Sequence, residues 1–336
     1  MRQRRVCTVF VPVLVALFFA GCAPTTRLSQ TLFRHDAEMA LNAGMTSRLV
    51  SRDEHKLAVR EFGRDLQGNG PTIVAMHGFP DNSRLYDEIA PLLASSHHFV
   101  AFDLLGWGDS DKPRGFEYGF RELDADLDAV LKALELQSYV LIAHDISAPA
   151  AIDRAAQDPR VLAVVLLNSV EHSTELVTAP EAIQTFSTPG LSRDVQRFFA
   201  RRFAGLFRRQ AREQISKFMV RGDDLERKYV DIFVYQLAGS RDAFFDLNDE
   251  LQSEFDERRR SREDRLAQIE TPVFLVFGDL DPYLRVEAAQ ELREFLPNAT
   301  FEVIEGGGHF VQIDRAEAVA AAVRGAIAQA SGSPAP

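Results

Sequence analysis

The chain has 336 residues and carries 49 acidic against 38 basic side chains, a formal net charge of −11. This length is enough to bury a core without covalent staples, and so acidic a balance argues against nucleic acid as a partner. The cysteines are Cys7 and Cys22 alone, which excludes a disulfide framework.

Arg2, Arg4 and Arg5 precede an apolar run from Val6 to Phe19, and Ala20-Gly21-Cys22 follows. A basic start, a short apolar stretch and small residues before a cut make a secretory signal over residues 1–21. The run is short for a membrane span. Cys22 directly after Ala20-Gly21 resembles a bacterial lipoprotein signal, in which that cysteine is lipidated and becomes the new N-terminus, although Phe19 stands where Leu is usual. The alternatives are a plain signal peptide or an uncleaved anchor. The lipoprotein reading implies export to the bacterial cell envelope, facing the periplasm or exterior, with the membrane as partner through the lipid. Residues 1–21 hold no acid, so the exported chain is nearer −14 once the three arginines are gone. Residues 22–44 read as a lipid-anchored tether and lead-in, with Pro24, Thr25 and Thr26 loop-like, and 331–336 read as a disordered tail.

Strand-like and helical runs then alternate through 45–170. Leu57 to Phe62 alternates polar and apolar, as a half-buried edge strand would. Thr72 to Met76 and His98 to Phe102 are continuous apolar runs, as central parallel strands are. Phe120, Leu123, Leu127, Val130 and Leu134 repeat at helical spacing. Tyr139 to Ala143 and Val161 to Leu167 are two more buried strands, so the pattern is α/β with a mostly parallel sheet flanked by helices. Between 171 and 265 the alternation stops. That stretch is helical and rich in phenylalanine, with Val195, Phe199, Phe203 and Leu206 forming one apolar stripe and Arg258-Arg259-Arg260 reading as a solvated face. Strand and helix return over 266–330, with Thr271–Gly278, a helix near Val286–Phe295 and a strand Phe301–Ile304.

Five stretches after strands stand out. In Leu141-Ile142-Ala143-His144-Asp145-Ile146-Ser147-Ala148, a buried strand runs into a helix opened by small residues, and one reactive side chain sits at the turn between them. An aspartate after a strand can equally be a helix N-cap. His77-Gly78-Phe79-Pro80 follows the strand Thr72–Met76, and Asp103-Leu-Leu-Gly106-Trp-Gly108-Asp-Ser110 follows the next, with Asp103 placed to satisfy loop amides. After the last two strands come Asp279-Leu280-Asp281-Pro282 and Gly306-Gly-Gly-His309.

These motifs resemble the α/β-hydrolase superfamily, and within it the epoxide hydrolase and haloalkane dehalogenase branch, over about residues 45–170 and 266–330. The resemblance implies an α/β-hydrolase fold with a helical cap, residues 171–265, inserted after the sixth core strand. It implies Asp145 as nucleophile, Asp281 as acid and His309 as base, in the chain order of that fold. Asn168, where some relatives carry the acid, has no carboxylate. The backbone N–H groups of Phe79 and Ile146 would form the oxyanion hole. An aspartate at the elbow attacks a saturated carbon and becomes an alkyl ester, which a water activated by His309 then cleaves. No cofactor or metal motif is present, and the expected ligand is a small hydrophobic substrate.

Two leaving groups compete. A halide needs donors, typically indole N–H groups, yet the only tryptophan is Trp107 in a structural loop, and Ile146 and Phe79 stand where many dehalogenases carry Trp and Asn. An epoxide needs a proton donor, usually cap tyrosines; Phe244-Phe245 occupies the place of the usual pair, leaving Tyr235, Tyr229 and His172 as candidates. Epoxide hydrolysis is the expectation. Haloalkane or haloacid dehalogenation, an esterase-like hydrolase and a non-catalytic binding protein are the alternatives.

Overall fold

The computed structural model describes residues 23–187 and 190–332, and the expected signal (1–21), Cys22 and residues 333–336 of the tail lie outside them. Its strands are β1 (Thr46–Arg52), β2 (His55–Phe62), β3 (Thr72–Met76), β4 (Phe99–Phe102), β5 (Tyr139–Asp145), β6 (Val161–Ser169), β7 (Val273–Gly278) and β8 (Ala299–Ile304). They form one sheet in the order β1-β2-β4-β3-β5-β6-β7-β8. Pairings β1–β2 and β2–β4 are antiparallel and the rest parallel. β3 and β5 at the centre are buried along their whole length, because helices cover both faces and leave no solvated side to alternate with.

The helices are α1 (Ala23–Ala43), α2 (Ala90–Leu93), α3 (Phe120–Leu134), α4 (Ala148–Gln157), α5 (Glu181–Ser187), α6 (Leu191–Arg202), α7 (Ala204–Ile215), α8 (Asp224–Leu237), α9 (Arg241–Leu266), α10 (Val286–Phe295), α11 (Val311–Asp314) and α12 (Ala316–Ala330). Helices α5 to α9 lie between β6 and β7 in sequence and form the cap. Tyr229 on α8 donates to Glu88 of the core at 2.8 Å.

Three local expectations change. β2 is not an edge strand, since β1 pairs along its outer side. No apolar alternation marks β1 in the sequence, because most of its side chains are solvated, with Val50 and Arg52 buried. Pro24 to Thr26 lie in the first turn of α1, and α1 is docked rather than a loose tether. His35 pairs with Asp87 at 2.6 Å, Arg60 reaches Asp87 and Asp36 at 2.8 Å each, and Arg84 reaches Asp36 at 2.7 Å. Leu28 is buried, and Leu32, Met39 and Ala43 pack on the core from the same helix. Arg258 is buried and bonds Glu171 and Asp153 at 2.8 Å each, joining the cap to the core, so only its neighbours Arg259 and Arg260 are solvated.

Candidate active site

β5 ends at Asp145, whose φ of 52° is left-handed, a conformation costly for any residue with a Cβ. The turn places Asp145 at the head of α4, where Ala148, Ala150 and Ala151 are buried and leave room for the helix to start against the sheet. Gly78 faces it from the β3 loop. A Cβ on Gly78 would lie 2.5 Å from the Asp145 Cβ and 2.9 Å from the His144 carbonyl oxygen, so only glycine lets the two loops approach. That approach brings the Phe79 N–H to the Asp145 Oδ2 at 3.1 Å. Ile146, the next residue, lines the same cavity.

His309 and Asp281 meet across the ends of β8 and β7. The His309 Nδ1 lies 2.8 Å from the Asp281 Oδ2. Asn168, itself at a left-handed φ of 37°, donates from Nδ2 to the same oxygen at 2.8 Å and accepts from the Gly278 N–H at 3.0 Å. The amides of Tyr283 and Leu284 hold the Asp281 Oδ1 at 2.8 and 3.1 Å. Asn168, noticed in the sequence only as a missing carboxylate, is thus the donor that fixes one. Asp103 receives the amides of Ser83 and Asp109 at 2.7 and 2.6 Å, as its loop position implies.

Beneath the site lies a buried set of one carboxyl and two imidazoles, brought together from separate stretches of the chain. Asp81 is buried between His77 at 3.0 Å and His144 at 3.2 Å, and the His144 Nε2 lies 3.1 Å from the His309 carbonyl oxygen. Burial alone would raise Asp81, but His144 and His77 beside it hold its carboxyl down to about 2. Burial pushes the Asp145 carboxyl above the usual range, with His309 and His144 opposing. Burial would raise Asp281 too, yet His309 and the two backbone amides keep it below its usual value. For His309, burial favours the neutral ring, but Asp281, with Asp145 and Asp81 behind it, raises the imidazole to about 9. The arrangement offers a carboxylate, an amide donor on one of its oxygens, and an imidazole whose Nδ1 side is fixed by a carboxylate.

Asp145, His309, Phe79 and Ile146 open on one cavity of about 160 Å³, walled largely by apolar side chains including Val170, Ile183, Leu251 and Leu284. Of the cap phenylalanines, Phe218 and Phe255 reach it. Phe244 stacks on Phe79 at 4.9 Å, and Phe245 packs against Phe186 at 5.1 Å.

None of the three cap residues considered as proton donors lines this cavity. Tyr229 is turned to Glu88, His172 is buried beside Glu171 at 3.1 Å, and Tyr235 is half-buried elsewhere on α8. Trp107 is buried, its ring 5.7 Å from that of Phe79, and does not line the cavity either. Among the described residues the one tyrosine that does is Tyr283, whose ring meets that of His309 edge-on at 6.2 Å. Its place two residues after Asp281 was the available signal.

The family model of the alpha/beta hydrolase fold matches residues 71–316. The chain belongs to that family. A haloalkane dehalogenase of Mesorhizobium japonicum is 27% identical over 272 residues, covering 76% of this chain and 84% of that protein. The solved haloalkane dehalogenase DatA of Agrobacterium tumefaciens superposes with a TM-score of 0.71 at 22% identity, covering 87% of this chain and 99% of that one. A bacterial membrane phospholipase A superposes with a TM-score of 0.67 at 21% identity, covering 92% and 93%. The last two have different activities on one fold, so for this alpha/beta hydrolase the chemistry must be argued from the side chains.

Proposed function

We propose that the protein hydrolyses hydrophobic epoxides through an alkyl ester on Asp145. The observation that carries this reading is an aspartate at the strand-to-helix elbow, one oxygen held by the Phe79 amide, in an apolar cavity that it shares with His309. The Asp145 Oδ1 attacks an epoxide carbon, the carbon–oxygen bond breaks, and the departing oxygen takes a proton from the Tyr283 hydroxyl. Water then attacks the Asp145 Cγ while His309 Nε2 takes its proton. The oxyanion forms on Oδ2 under the Phe79 and Ile146 amides; as it collapses, the leaving alkoxide takes the second proton of the added water, which releases the diol and leaves the free carboxylate. The proton left on His309 restores Tyr283, directly or through solvent.

The charges suit this order of events. Asp145 is one of the groups that raise His309, and esterification removes that charge. The imidazole therefore loses its proton more readily at the stage when a base is needed. An ester substrate suits the site less, because acyl transfer to a carboxylate gives a labile anhydride.

Haloalkane dehalogenation is the second reading, favoured by the Mesorhizobium japonicum relative. Against it stand the position of Trp107 outside the cavity and the apolar side chains of Phe79 and Ile146. We also propose that the chain is exported and lipidated at Cys22. The mass of the mature N-terminal peptide tests this: a free Cys22 on a mature chain would remove the anchor. The catalytic reading is tested by a single turnover in ¹⁸O-water. Unlabelled diol, with ¹⁸O left in the Asp145 carboxyl, is the expected result; labelled diol in the first turnover means direct attack by water and sinks the ester.

A further inference from the structure

Helix α6 is built inside out. A surface helix normally buries its apolar stripe and solvates its charges. On α6 and its C-cap, Leu191, Val195, Phe198, Phe199 and Phe203 are 81%, 45%, 63%, 44% and 41% exposed. The opposite side carries Arg193, Arg197 and Arg201, which turn inward to α9. Arg197 meets Asp249 at 2.6 Å, Arg193 meets it at 3.6 Å, and Arg201 meets Asp242 at 3.2 Å. The apolar stripe that the sequence places at 195, 199 and 203 therefore faces solvent, not the core; the side chain of Leu206, its fourth member, is outside the described set. The exposed rings touch one another, Phe198 to Phe199 at 5.6 Å and Phe199 to Phe203 at 5.8 Å.

The charge around this face is opposite to that of the molecule. Residues 191–215 hold seven arginines against Asp194 and Glu213, in a chain of net charge −11. Arg193, Arg197 and Arg201 are engaged with α9, but Arg202 is exposed and lies over the Phe203 ring at 5.6 Å, and Arg209 on α7 is exposed as well. Exposed aromatic side chains with arginines among them are what an interfacial helix presents to anionic lipid. The remainder of so acidic a protein would be repelled by the same surface.

We propose that α6 and the start of α7 form a docking face for an anionic lipid bilayer, with Phe198, Phe199 and Phe203 entering the acyl boundary and Arg202 and Arg209 meeting the headgroups. The bilayer is favoured over a symmetric second copy of the chain, which would set the same arginines against one another. The face lies on the cap, not in the catalytic machinery. Phe207 of α7 lines a smaller cavity of about 40 Å³ that shares Pro180, Ile183 and Phe218 with the one above Asp145, so α7 lies beside the site without lining it. The docking does not depend on what reaction Asp145 performs.

The test uses the full chain with Cys7 and Cys22 changed to serine and a bimane label on Phe198→Cys, compared with the same label on Glu302→Cys, an exposed position of β8. Vesicles of phosphatidylcholine and phosphatidylglycerol carry a nitroxide on the acyl chains. The label at 198 should be quenched at least twofold more than the label at 302. Adding Arg202→Glu and Arg209→Glu, or Phe199→Glu and Phe203→Glu, should cut the quenching severalfold while the circular dichroism spectrum is unchanged. Equal quenching at the two positions, with the protein bound to the vesicles, would overturn the proposal. So would a blue shift at 198 that grows with protein concentration without lipid, since that identifies a second copy as the occupant.

Discussion

Asp281→Asn removes one charge and almost no volume, and its consequences can be worked out atom by atom. The Asp281 Oδ1 holds the Tyr283 and Leu284 amides, and Oδ2 receives Asn168 and His309. An amide in that place must keep its oxygen on the two backbone donors, so its NH₂ turns toward His309 Nδ1. That nitrogen then has to accept, and the single proton of the neutral ring moves to Nε2, the atom required to deprotonate water. Loss of the working tautomer costs on the order of 10³–10⁴-fold in rate for a triad of this kind. The loss should fall on ester hydrolysis, leaving alkylation of Asp145 within about tenfold of wild type, since attack needs no base.

The same substitution has a thermodynamic signature. Against burial, Asp281 is the leading cause that raises His309 to about 9. A return to the ordinary 6.5 corresponds to roughly 3 kcal/mol of imidazolium stabilisation. Because the folded value is raised, that stability is fully present below about pH 6.5 and is lost as pH rises through about 9. The wild type should therefore exceed the variant in unfolding free energy most at pH 6 and least above pH 9. Rapid-quench kinetics with an epoxide measure ester formation and decay, and urea unfolding at several pH values measures the linkage. Ester decay within fivefold of wild type, or a stability difference that ignores pH, would refute the assigned roles of Asp281 and His309.

Three further outcomes follow from the same geometry. Gly78→Ala forces a Cβ into the Asp145 Cβ and the His144 carbonyl; withdrawal of the Phe79 amide should lower kcat about 10²-fold, measured beside Tm to separate misplacement from unfolding. Tyr283→Phe should slow epoxide opening by about 10²–10⁴-fold and leave any alkylation by haloalkanes unchanged, as single-turnover assays with both substrate types would show. Asp87→Ala strands the buried His35 and leaves the buried Arg60 with Asp36 alone; it should cost about 3 kcal/mol in urea unfolding, with protease sensitivity increasing first along α1.

The candidate site was legible in the sequence where its cues are local: Asp145 ends the apolar strand β5, Asp281 follows the apolar strand β7, His309 follows β8 and a run of glycines, and the structure brings His309 and Asp281 to 2.8 Å. What was not legible depends on contacts between distant stretches. Asn168 reads as an inert substitution until its Nδ2 is seen on the Asp281 Oδ2, and Tyr283 enters the cavity from the loop after β7, not from the cap where a proton donor is expected. Asp81 joins His77 and His144 from separate loops, and no spacing announces the set. α1 is tied down in part by ion pairs from His35 and Asp36 to distant residues, which local spacing does not announce. The stripe at Val195, Phe199 and Phe203 shows that helical periodicity identifies a common face without saying which way the face points.

The most direct test of the account is the intact mass of His309→Gln after incubation with a panel of epoxides and haloalkanes. Without the base, attack can proceed and water cannot follow. The account predicts an adduct equal to the whole epoxide, mapped by peptide sequencing to Asp145 and absent from Asp145→Ala. An adduct equal to the alkyl group without its halogen would keep the Asp145 ester and replace the substrate class. An adduct on any other residue, or turnover of these compounds by Asp145→Ala, would contradict the account.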